Sequence, residues 1–105
     1  MFLPKPFKNF QENFSDIHQK YEELATACRE HGPLDERSQN LVKIGIAIGQ
    51  QAKGGVMSNT RKALASGCTA EEIYHAILLS LTTVGFPAMI AAMGWAETVL
   101  EKNPE

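Results

Sequence analysis

Nothing in these 105 residues alternates apolar with polar in the way a half-buried strand does, so a sheet is excluded from the expected fold. Cysteine is scarce. Cys28 and Cys68 are the two present, far apart in the chain, and cannot make the dense framework of a small secreted domain. A reducing, cytoplasmic setting is the expectation. There is no surplus of positive charge either: 10 basic side chains stand against 12 acidic ones, a net charge of −2, which gives no field for gripping nucleic acid. The first residues, Met1 to Phe7, carry prolines where a signal peptide needs an unbroken apolar run. Ala76 to Ala96 lacks charge, yet Gly85-Phe86-Pro87 cuts it in half and Ser80, Thr82 and Thr83 make its centre polar. It reads as a buried helical hairpin, and no membrane span is expected. No two of His18, His31 and His75 stand four residues apart, the spacing that puts two ligands on one helical face, so neither a metal nor another cofactor is expected.

What remains is helical patterning. Phe7, Phe10, Phe14, Ile17, Tyr21, Leu24 and Cys28 recur in steps of three and four, which predicts one amphipathic helix ending near His31, before Gly32-Pro33. Asp35 is placed to cap a second helix, with Glu36 against its positive end. That helix, to about Gln51, carries Leu41, Val42, Ile44, Ile46, Ala47 and Ile48 and is apolar nearly all round. It should therefore lie in the middle of the assembly, with Gly45 and Gly49 marking a close helix crossing. Gly54-Gly55 should break the chain before a third helix ending at Gly67. Thr69-Ala70-Glu71-Glu72 reads as a capping box for a fourth, which Gly85 ends, and Pro87 suits the first turn of a fifth.

A chain of this length makes one domain, residues 1–105, and at this size buries roughly two-thirds of its unfolded surface. The second helix, the hairpin after it and the three phenylalanines of the first leave too little polar face to clothe a lone unit. Burial against copies of itself resolves the imbalance, so a homo-oligomer is expected.

Gly32-Pro33-Leu34-Asp35-Glu36, Ile46-Ala47-Ile48-Gly49-Gln50-Gln51, the run from Arg61 to Ile73 and Gly85-Phe86-Pro87-Ala88-Met89 together resemble the carboxymuconolactone decarboxylase and alkylhydroperoxidase D-like family, over roughly residues 15 to 100. The resemblance implies an all-α fold of about five to six helices assembling into trimers or hexamers. It also implies where chemistry would sit. Redox members place a Cys-x-x-Cys pair at the start of the third helix, a histidine one turn beyond it and a glutamate on the helix before; the matching positions here hold Asn40, Ala52, Gly55 and Asn59. Decarboxylating members tend to carry histidines at the positions of Asn59 and Ser80. The resemblance thus implies the architecture, while the side chains of both chemistries are replaced by amide, methyl, hydrogen and hydroxyl.

Around that position Asn40, Lys53, Gly54, Gly55, Ser58 and Asn59 are the candidate ligand-binding residues. An ammonium, unshielded backbone N–H groups and small polar side chains at a helix N-terminus form a cradle for a carboxylate or phosphate. The plainer alternative is that the glycines make a turn and the polar side chains satisfy the helix start. His75 is the candidate acid or base, because its helix leads to the Gly-Phe-Pro turn bordering the family's pocket; the alternative is a satisfied surface histidine. Three readings stand: an oligomer binding a small anion, with no cofactor; a peroxidase using Cys28 or Cys68 in a non-standard way; and an interaction module with a vestigial pocket.

Overall fold

The computed structural model describes residues 3–102; the tail from Lys102 to Glu105, which as a polar chain end is expected to fray, lies largely outside that range. Every regular element among the described residues is a helix. Contacts group the chain into Met1–Pro33 and Leu34–Glu105, and each unit is taken by itself.

The first unit is two helices where the pattern predicts one: α1, Lys5–Asn13, and α2, Ser15–Glu30. The break is at Phe14, whose φ of −133° and ψ of 48° leave the helical region. A straight helix would hold Phe7 and His18 about 16 Å apart along its axis, whereas their rings meet at 5.7 Å and the Phe10 ring meets His18 at 5.8 Å. The bend gives the phenylalanines of α1 a partner that a straight helix would deny them. Gln11 closes the elbow with its amide 3.4 Å from His18 Nε2. The predicted end near His31 agrees with the structure.

The second unit holds α3, Glu36–Gly49; α4, Lys53–Ala65; α5, Ala70–Leu79; α6, Leu81–Val84; and α7, Phe86–Lys102. Its core gathers Ile44, Ala47 and Ile48 of α3, Val56 and Ala63 of α4, Ile73 and Ile77 of α5, and Met89, Ala92, Ala96 and Leu100 of α7, with Cys68 in the α4–α5 connection. The predicted caps are present. Asp35 accepts from the Ser38 amide at 2.7 Å, and the Thr69 and Glu72 side chains each accept from the other's backbone N–H. Gly67 and Gly85 take φ of 98° and 94°, values that suit residues without a Cβ. The predicted fourth helix is split at Ser80, whose hydroxyl donates to the Ile77 carbonyl at 2.6 Å and so competes with the backbone ladder.

Three expectations about α3 and α4 are corrected. The chain breaks not at Gly54-Gly55 but at Gln50–Ala52, where Gln51 adopts the left-handed φ of 52° and the Ala52 amide bonds back to the Ala47 carbonyl. The glycine pair lies inside the first turn of α4. Within the second unit α3 is covered on one side only: Ile44 and Ile48 are buried, while Val42 and Ile46 are 51% and 57% exposed. No atom comes within 4 Å of where a Cβ would stand on Gly45 or Gly49, so no helix of the second unit crosses there.

Two joints tie α5 to its neighbours. Tyr74 donates to Glu97 of α7 at 2.9 Å, which raises its phenol above the usual pKa. Arg37 of α3 donates to Glu72 of α5. The Thr69 amide, then Arg37, hold the Glu72 carboxyl below its ordinary value of 4.5, and the Ser38 amide lowers Asp35 in the same way. A carboxyl lowered by folding lends stability that is complete above its unfolded value and drains as pH falls through the folded one. Urea midpoints should therefore fall as pH drops below 4.5, and Glu72→Gln should flatten that decline while starting from a lower midpoint at neutral pH.

Candidate functional site

The α3–α4 hairpin holds the positions where the family resemblance expects chemistry, and each has a structural occupation. Asn40 is buried, and its Nδ2 donates to the Lys62 carbonyl at 3.3 Å and to Ser66 Oγ at 3.0 Å. Asn59 Nδ2 donates to the Lys43 carbonyl at 3.4 Å. Ala52 is the residue before α4 and supplies no side-chain cap. A Cβ on Gly55 would stand 3.1 Å from Ala47 Cβ, closer than ordinary contact, so this glycine is kept by the approach of the two helices. The two amides and the missing side chain at these positions brace the hairpin.

The hairpin's register separates the candidate ligand residues. Asn40 is bonded beside Lys62 and Ser66, at the far end of α4 from Lys53, nine residues and therefore about 13 Å of helix away. Lys53 and Gly54 are exposed, and Gly55, Ser58 and Asn59 are half-buried. The start of α4 thus gathers Lys53, Gly54 and Gly55, with Ser58 in its second turn, but not Asn40. No acidic side chain stands in that first turn.

His75 lies elsewhere, on an open groove of about 570 Å³ formed by α3, α5 and α6. Arg37 and Glu72 bring the first turns of α3 and α5 side by side, and the groove runs on from there. Leu41, Val42, Gly45 and Gly49 form one wall; Glu72, His75, Ala76 and Leu79 face them, followed by Ser80, Thr83 and Val84. Residue-by-residue motif reading could not find this groove, because its walls come from segments some thirty residues apart. The one signal was the pair of glycines on α3, which pattern alone reads as a helix contact.

The two thiols lie in different surroundings. Cys68 is 3% exposed and its Sγ donates to the Arg37 carbonyl at 3.7 Å; Cys28 is exposed on α2, and neither forms a disulfide. Among the described residues no three His, Cys, Asp or Glu side chains gather as a metal set would, and no helix is long and apolar enough to cross a membrane.

Among the described residues the chain is all-helical, with a short α3–α4 hairpin, a glycine pair in the first turn of α4 and a Gly-Phe-Pro start to α7. Residues 15–98 match the carboxymuconolactone decarboxylase family, and the chain belongs to it. Among curated proteins it is similar to nitrosuccinic acid decarboxylase npaB of Metarhizium robertsii, 37% identical over 60 residues, a segment covering 57% of this chain and 42% of the relative. The match thus spans under half of that relative's length. No solved structure matches the chain significantly.

Restoring a thiol at the family position tests how completely the hairpin has been given over to packing. Gly55→Cys should lower stability by about 1–2 kcal/mol through overpacking. Ala47→Gly, which removes the facing methyl, is costly alone, but the double variant should lose less stability in urea unfolding than the two single changes summed. Equal stability of Gly55→Cys and the parent would show that the close approach does not constrain this position.

Proposed function

We propose that this protein is an oligomeric member of its family that works without paired thiols and holds a small organic anion against the start of α4. The carrying observation is the composition of that first turn. The first N–H groups of any helix lack intrahelical partners; here Ala52 provides no cap, no carboxylate competes, and Lys53 adds a positive charge beside exposed Gly54. A carboxylate or phosphate would accept from the backbone and from the ammonium together. The similar protein is named for acting on a small organic acid, which favours a carboxylate as the ligand of this chain too.

The peroxidase reading has less support, since Cys68 is buried with its proton on a backbone carbonyl and Cys28 lies on a helix remote in sequence from the family's site. Two unpaired cysteines fit a reducing, cytoplasmic setting. Association is supported by the apolar side chains that the chain leaves open: Ile46 of α3, Leu78 of α5, and Phe86 and Ile90 of α7 are exposed.

Succinate and inorganic phosphate should raise the melting temperature, uncharged succinamide should not, and Lys53→Ala should weaken the anion response about fivefold, the worth of one exposed charge at a helix start. Absence of any shift, or shifts indifferent to Lys53→Ala, would defeat the anion reading. Sedimentation should find an oligomer that the double variant Ile46→Asp, Leu78→Asp dissociates; a monomeric parent at tens of micromolar would defeat the association.

A further inference from the structure

Gly45 and Gly49 are unexplained by the packing of the chain. Glycine inside a helix is disfavoured relative to alanine and is ordinarily kept where a neighbour comes too close for a methyl group. Here nothing lies within 4 Å of a Cβ at either position. Both glycines open the wall of the α3–α5 groove, whose volume of about 570 Å³ is in the range that takes a small molecule. Val42, Ala76 and Leu79 make the body of that groove apolar.

Its one charged group is an acceptor, Glu72, and of its other polar side chains Ser80 accepts, while His75 and the exposed hydroxyl of Thr83 can each accept or donate. The Thr69 amide and Arg37 both donate to Glu72 Oε1, which leaves Oε2 as an acceptor for a third donor. Ser80 gives its proton to the Ile77 carbonyl, so toward the groove it offers lone pairs. His75, one turn beyond Glu72, is exposed on the same wall, and a neutral imidazole accepts as well as donates. Arg37, the nearby source of donors, is turned to Glu72 and does not line the groove. A carboxylate entering here would meet the charge of Glu72, whereas an amine or hydroxyl would complete it.

We propose that this groove is a binding site, separate from the start of α4, for a small amphiphile with an apolar body and a hydrogen-bond-donating head, a primary amine or an alcohol. The apolar body lies along α3 where Gly45 and Gly49 leave room, and the head reaches Glu72 Oε2 and His75. The site is independent of the anion reading, and its failure would leave that reading untouched.

Three isosteric probes test it on the full chain: 4-phenylbutylamine, 4-phenylbutanol and 4-phenylbutyrate, followed by calorimetry and by amide shifts of α3 and α5. The amine and the alcohol should bind, and the carboxylate should bind at least about tenfold more weakly. Gly45→Leu places a side chain in open space on a helix whose propensity it improves, so the fold is kept while the groove is filled. It should abolish amine and alcohol binding and leave the phosphate response of Lys53 unchanged. The proposal is overturned if no probe binds, if the carboxylate binds as well as the amine, or if Gly45→Leu binds as the parent does. It is overturned equally if the parent ignores all three probes and Gly45→Leu splits an oligomer, which would assign the groove to a second copy of the chain.

Discussion

The close approach of α3 and α4 at Ala47 and Gly55 is the constraint on which the rest of the second unit depends. A missing side chain lets two helix backbones come within methyl distance, and that contact sets their register. The Asn59 amide can then reach the Lys43 carbonyl, and Asn40 can reach Lys62 and Ser66. Buried amides are costly unless bonded, so these pairings discriminate strongly against a slipped register. With one face of α3 committed to α4 and the core, its opposite face, with Val42, Gly45 and Gly49, is left for the groove.

Much of this was legible in the residues, and the part that was not has a common cause. Asp35, Thr69 with Glu72, Gly67 and Gly85 act through neighbours one to three positions away, and their roles follow from local chemistry. Phe14 was misread because the three-and-four spacing of aromatics is the same whether a helix runs straight or folds back at a residue that satisfies both halves. Gly54 and Gly55 were misread because a glycine pair signals a turn and a close contact equally well; the turn went to Gln51, a residue with no special claim to a left-handed conformation. Of the candidate ligand residues, Lys53, Gly54 and Gly55 do share one helix start, while Asn40 was grouped with them by family position and proves to be bonded at the other end of α4.

The positions where the family resemblance expects reactive side chains are filled here in ways that have physical reasons. Groups that pack or bond to neighbouring polar groups suit those positions, as Asn40, Gly55 and Asn59 do. Acidic and basic groups are still present in the second unit, but at a different place: Glu72 and His75 share the wall of α5, and Arg37 holds Glu72 from α3. The second unit therefore holds two distinct places of different composition, a helix start with Lys53 and no acidic side chain in its first turn, and a largely apolar groove bearing Glu72.

Only Gln50, Gln51 and Ala52 join α3 to α4, and their brevity bears on how the chain folds. Contacts between residues near in sequence close at small loop entropy, whereas α7 must return across the whole length of α5 and α6 to cover α4. By loop entropy alone the α3–α4 pair closes most cheaply, and α7, which joins Val56 and Ala63 in one core, closes over the longest stretch of chain in this unit.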